Sequence, residues 1–184
     1  AHMKEIRSII GPDRPLHIQV TALDTEGMLR DADTLLSKVD PEVYVKVPVT
    51  MEGIKAIKQM KARGIHVTGT AIYGKQQGFL AMEAGADYIA PYFNRMENMG
   101  LDSDDVIASL ADMIDLYHYD TQILAASFKN AGQIDRAFLA GAHTATMDPS
   151  ILKDVLTQPY ITNAVDTFDS DWKTIFGEQT ISEL

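Results

Sequence analysis

The segment Val43-Tyr44-Val45-Lys46-Val47-Pro48-Val49-Thr50 sets a single lysine among β-branched residues. Such a run forms a strand, and its alternation puts Tyr44 and Lys46 on one face and Val43, Val45 and Val47 on the other. With the valines under covering helices, Lys46 faces the opposite side, where desolvation disfavours its ammonium and lowers its pKa. A neutral lysine amine attacks a ketone to give an iminium, an electron sink for breaking a neighbouring C–C bond. The plainer alternative is a lysine whose stem packs in the sheet while its head reaches water. Spacing alone leaves both open.

Other clusters offer less chemistry. The chain has no Cys, which excludes thiolate metal sites, disulfides and thiol nucleophiles. Asp102, Asp104 and Asp105 stand where a helix begins and complement its dipole, so they read as a helix start and not as a metal site. His17, His66, His118 and His143 show no helical ligand pair, and no Ser/His/Asp order is suggested. Met28, Met60, Met82 and Met113 fall within amphipathic stretches and read as core filler. No metal site is suggested.

A lysine so placed needs a sheet around it. β-prone runs at 16–21, 43–47, 66–70, 88–90, 122–126 and 144–147 alternate with amphipathic stretches at 26–39, 51–63, 75–84, 104–116, 131–139, 150–156 and 164–176. That alternation is the mark of parallel βα units, six of them. Gly64, Gly85 and Gly141 sit at C-caps, and Thr50 and Ser103 where N-caps belong. Residues 4–10 read as a helix ending at Gly11-Pro12, and Ala1-His2 before Met3 as the remnant of an expression tag. No Gly-x-Gly-x-x-Gly turn follows any strand, which favours a (β/α) barrel over a dinucleotide-binding open sheet.

The bulk properties agree. At 184 residues and 46% hydrophobic, the expectation is one domain spanning 1–184. A net charge of -10 argues against a nucleic-acid partner. No apolar run of about 18 residues suggests a membrane span, and no signal pattern opens the chain. The expected setting is soluble and cytoplasmic.

Further motifs follow Lys46 in order: Glu52-Gly53, Gly69-Thr70-Ala71-Ile72-Tyr73-Gly74, Gln77-Gly78, Ala84-Gly85-Ala86, Ala90-Pro91-Tyr92, Asn94-Arg95 and Ala125-Ala126-Ser127-Phe128-Lys129. Together with Lys-Val-Pro-Val-Thr, they make the chain resemble the fructose-6-phosphate aldolase and small transaldolase family from about Ile9 through Phe176. The resemblance implies a (β/α)8 barrel that cleaves or transfers a dihydroxyacetone unit between sugar phosphates through a lysine Schiff base, with no metal and no cofactor. It makes Lys46 that lysine on the fourth family strand. It makes Gln19, Thr70 and Tyr92, on the third, fifth and sixth, the groups that hold a catalytic water and move protons. An amide and two hydroxyls supply the donors and acceptors this needs. Arg95, Ser127 and Lys129 match the positions that bind the phosphate of the aldehyde substrate; without the resemblance, Arg95 reads as a surface partner of Glu97.

One departure stands out. The family begins with a strand bearing an essential aspartate and a second with a Thr-Asn-Pro type motif, and neither is in this sequence, leaving an incomplete barrel of six βα units. Two unpaired edges are then expected to promote homo-oligomers. Gln19 and Tyr92 point to the aldolase branch, acting on fructose 6-phosphate with glyceraldehyde 3-phosphate as the aldehyde. Transaldolases of the family tend to carry an acidic residue and a Phe at these places. A catalytically impaired oligomerising fragment is the reading from outside catalysis.

Overall fold

A computed structural model describes residues 2–184. The chain divides into two compact units, Ala1–Thr146 and Met147–Leu184. The first opens with helix α1 (His2–Ile10) and then runs β1 (His17–Gln19), α2 (Thr25–Lys38), β2 (Tyr44–Pro48), α3 (Met51–Ala62), β3 (Val67–Ile72) and α4 (Lys75–Glu83). It continues with β4 (Tyr88–Pro91), α5 (Phe93–Asn98), α6 (Ser103–Tyr117), β5 (Gln122–Ala125), α7 (Ala131–Leu139) and β6 (Thr144–Ala145). All pairings are parallel and the strand order is β1-β2-β3-β4-β5-β6. The six strands curl into a half-barrel with helices between them, the incomplete (β/α) barrel expected. Among the described residues, β1 pairs only with β2, and β6 only with β5.

The two faces of β2 show why the sheet takes this form. Val43, Val45 and Val47 are fully buried, as are Ala56, Ile57 and Met60 of α3 and Ala32 of α2. Burying a valine or isoleucine side chain contributes roughly 1.5–3 kcal/mol, so this layer dictates which face of each strand turns outward to the helices. Tyr44, Lys46 and Pro48 fall on the concave face and are only half-buried. Met28, Met60 and Met82 are buried as core filler, while Met113 is only partly so.

Local signals hold the connections. Thr50 caps α3 by accepting from Gly53 N at 3.0 Å. A Cβ on Gly53 would meet the Pro48 carbonyl oxygen at 1.8 Å, so only glycine lets α3 start this close to the end of the lysine-bearing strand. Gly64, Gly85 and Gly141 take the left-handed conformation expected of them.

Three sequence expectations need correction. The cap of α6 is Asp102, whose side chain accepts from Asp105 N, not Ser103. Ser103 is the first helical residue, and its buried hydroxyl donates to the Phe93 carbonyl. Helix α5 falls where no helix was expected: Pro91 and the polar Asn94, Arg95 and Glu97 masked the buried i,i+3 pair Phe93 and Met96. In the second unit, α8 (Pro149–Leu156) is followed by α9 (Pro159–Phe176), which begins five residues before the expected 164 because Pro159 opens the helix instead of breaking it.

Helix α9 has no buried residue, and Tyr160, Val165, Phe168 and Ile175 are exposed along it. Trp172 packs against Phe176 at 4.4 Å and donates to the Gln179 carbonyl at 2.7 Å. No helix is long and apolar enough to cross a membrane among the described residues.

Candidate active site

Strand register assembles the groups around Lys46. Gln19 of β1 and Thr68 of β3 are its parallel neighbours, and Thr70 stands opposite Pro48, one pleat nearer the C-terminal ends of the strands. Lys46 lines an open cleft of about 300 Å³ with Pro15, His17, Tyr88, Leu124 and residues 144–146. Its ammonium has no carboxylate partner among the described residues. Burial pushes the lysine pKa below its ordinary value of 10.5, since desolvation penalises the charged form and nothing nearby offsets it.

Further along the strands, the Thr70 and Tyr92 hydroxyls share a hydrogen bond of 3.1 Å. A register shift between Gly69 and Ile72 sets this geometry, with Ala71 in the left-handed region at φ 57°. Gln77 braces the shifted segment. Its side chain accepts from Tyr73 N at 2.9 Å and donates to the Val49 and Ala71 carbonyls. Among the described residues, neither Gln19 nor Lys46 is hydrogen-bonded to the Thr70–Tyr92 pair, and Gln19 is exposed on the concave side.

Arg95 lies over the Tyr92 ring, 4.8 Å from its centroid, and donates to the Tyr73 hydroxyl at 3.1 Å. It is not paired with Glu97, as its surface position had suggested. That carboxylate holds Arg136 at 2.6 Å and also accepts from Gln133. The Arg95 guanidinium therefore retains donors for an incoming anion. Ser127 is brought beside this rim because its carbonyl accepts from Asn94 N at 2.9 Å, and its own φ of 65° is strained for a residue with a side chain. Lys129 follows at the exposed start of the loop into α7, its backbone N–H held by the Gln133 side chain at 2.8 Å. One backbone bond thus ties Ser127 to the residue before Arg95 at this rim, and neither Ser127 nor Lys129 shares a side-chain contact with Arg95 among the described residues. The aspartates near α6 serve structure: Asp105 pairs with Lys75, and Asp104 with Arg136.

The Transaldolase/Fructose-6-phosphate aldolase family model matches residues 1–181. This chain belongs to the transaldolase/fructose-6-phosphate aldolase family. A protein named "Probable fructose-6-phosphate aldolase" from Streptococcus pneumoniae (strain ATCC 700669 / Spain 23F-1) is 45% identical over 179 residues, covering 97% of this chain and 81% of that one. A "Probable transaldolase" from Chelativorans sp. (strain BNC1) is 37% identical over 169 residues, covering 92% of this chain and 76% of its own. The chain is accordingly an enzyme of the transaldolase/fructose-6-phosphate aldolase family.

Two groups at this site were not singled out from sequence. Tyr73 holds Arg95, and His17 lines the Lys46 cleft, with its Nδ1 2.9 Å from Thr68 Oγ1. Strand alternation from Gln19 was the available signal for His17, since residues two apart share a face. Burial, and then the nearby Lys46 charge, push the His17 pKa from 6.5 to about 4. Between those values the unfolded chain binds a proton that the folded chain does not, so stability is fullest above pH 6.5 and falls as pH drops toward 4. Each pH unit of such a difference is worth about 1.4 kcal/mol, and screening of the partly open ring reduces the whole effect to about 1–2 kcal/mol. His17→Phe should flatten this part of the stability profile relative to the parent, read by denaturant melts at a series of pH values. Parallel profiles would refute a titrating His17.

Proposed function

We propose that this enzyme is a class I aldolase that cleaves or forms fructose 6-phosphate type sugar phosphates, with Lys46 as the Schiff-base nucleophile. The observation that carries this reading is a half-buried lysine without an acidic partner on the concave face of the half-barrel. A lowered pKa leaves more of its amine neutral near pH 7 and able to attack.

In the cleavage direction, Lys46 Nζ adds to the C2 ketone, and loss of water gives the iminium. Removal of the proton from the C4 hydroxyl then breaks the C3–C4 bond and sends its electrons into the iminium. Glyceraldehyde 3-phosphate leaves and an enamine of dihydroxyacetone remains on the lysine. Protonation at C3 and hydrolysis release dihydroxyacetone and restore the amine. Tyr92 and Thr70, hydrogen-bonded to each other, together with Gln19, would hold the water that carries these protons. Arg95, Ser127 and Lys129 would take the aldehyde's phosphate.

A transaldolase is the second reading, favoured by the relative of that name. The same enamine would then be intercepted by another sugar aldehyde. The Tyr92 hydroxyl and the Gln19 amide support the aldolase branch. The exposed apolar residues along α9 support a homo-oligomer.

The reading is tested by borohydride reduction in the presence of dihydroxyacetone and by peptide mass mapping. One reduced three-carbon adduct on Lys46 is expected, and no adduct at any lysine would overturn it. For the rim, Arg95→Ala should raise the KM for glyceraldehyde 3-phosphate at least about tenfold, because a charge-assisted bidentate contact contributes about 1.5–3 kcal/mol. Unphosphorylated glyceraldehyde should be little affected. Equal effects on both aldehydes would mean that Arg95 only supports the Tyr92 ring.

A further inference from the structure

Below Lys46, on the side of the strand N-termini, four aromatic rings and a threonine form a contiguous cluster on the concave face. His17 of β1 and Thr68 of β3 share a 2.9 Å hydrogen bond although β2 runs between their strands. The bond therefore crosses the concave surface of β2 between Tyr44 and Lys46, the two residues that β2 turns to that side. The His17 ring stacks on Tyr44 at 4.8 Å and meets the edge of Tyr88 at 5.0 Å. Tyr44 in turn stacks on His66 at 4.7 Å and meets Tyr88 at 5.2 Å. Tyr88 is the register partner of Thr68, as Thr68 is of Lys46, so the cluster reaches from β1 to β4 immediately beneath the lysine.

We propose that His17 is a positioning residue for Lys46: clasped to Thr68 and wedged between Tyr44 and Tyr88, its ring forms a floor that keeps water from the lysine amine and directs it toward the C-terminal ends of the strands. This deepens the assignment of Lys46 as nucleophile and rests on it. The titratable groups facing His17 are Lys46 and Tyr44 from β2 and Tyr88 from β4, with His66 behind Tyr44. Thr68 and the remaining residues of the cleft wall are uncharged. Three aromatic or hydrogen-bonding contacts fix the ring on the side of the sheet that carries Lys46. At neutral pH an uncharged imidazole desolvates the lysine without adding a second cation beside it.

The test measures the Lys46 titration directly, with trace acetic anhydride labelling across pH and peptide mapping, and so needs no substrate. In His17→Ala, water enters beneath the amine, and the labelling midpoint of Lys46 should rise by about one pH unit, a tenfold loss of neutral amine. The rate of adduct trapping with dihydroxyacetone and borohydride should fall in the same proportion. His17→Phe, which restores the ring's bulk without its nitrogens, should return the midpoint to the parent value. If His17→Ala does not fold, His17→Asn is read in the same way, being shorter than imidazole yet able to bond Thr68. An unchanged Lys46 midpoint in the folded small-residue variant overturns the proposal, as does a midpoint that Phe fails to restore. The two readings fail separately. A midpoint that follows His17 without any adduct defeats the nucleophile and leaves the floor standing; an adduct with an indifferent midpoint defeats only the floor.

Discussion

Lys46→Met should abolish the borohydride-trapped adduct while leaving the fold intact. Methionine has nearly the length and volume of the lysine stem, so the concave face keeps its packing. It also removes an amine that sits half-buried with no carboxylate partner, a group whose charged form is costly there. Stability at neutral pH should therefore be unchanged or gain about 1 kcal/mol. The pH dependence carries a sign. The lysine's folded-state pKa lies below 10.5, so the unfolded chain holds its proton longer, and Lys46 makes stability rise with pH through that window. The methionine variant loses this rise. Peptide mapping of the reduced protein, with circular dichroism and a denaturant melt on the same preparation, separates chemistry from folding. An adduct persisting in the variant at another lysine would assign the nucleophile elsewhere.

The face of the sheet that carries Lys46 was legible because β2 is covered on one side only. Three valines under helices force strict alternation, and alternation needs no tertiary knowledge. Register was not legible. That Gln19 and Thr68 flank Lys46, and that Thr70 lies one pleat higher, follows from how neighbouring strands slide to pack against the helices. The shift at 69–72 was hidden for a related reason. Ala71 has no preference for a positive φ, and tertiary bonds hold it there, among them the bracing by Gln77 and the pairing of Ile72 with Pro91. For Arg95 and Glu97, proximity in the chain suggested an ion pair, but α5 starts at Phe93 and turns Glu97 toward Arg136 on α7. Ser103 and Asp102 are both good capping residues. The choice between them depends on a carbonyl ten residues upstream, which claims the serine hydroxyl.

Tyr92→Phe should separate bond making at Lys46 from the proton transfers that complete a turnover. The Tyr92 ring does two structural jobs, supporting the Arg95 guanidinium at 4.8 Å and meeting the Tyr73 edge at 5.6 Å, and phenylalanine keeps both surfaces. What disappears is one hydroxyl, the partner of Thr70 at 3.1 Å. If that hydroxyl relays the protons that convert enamine to free product, its loss should lower turnover by about 10²- to 10⁴-fold, the range for removing a general acid or base. The KM for a phosphorylated aldehyde should stay within about threefold of the parent because Arg95 is still held. Lys46 still forms its iminium, so the borohydride adduct should accumulate to at least the parent level, with release as the slow step. Thr70→Val, which strips the other end of the same hydrogen bond, should give a loss of similar kind, and the double variant little more than the larger single one, since both act through one relay. Full turnover in Tyr92→Phe would remove Tyr92 from the chemistry and leave it a support for Arg95. Additive losses in the double variant would instead mean that Thr70 and Tyr92 serve separate protons.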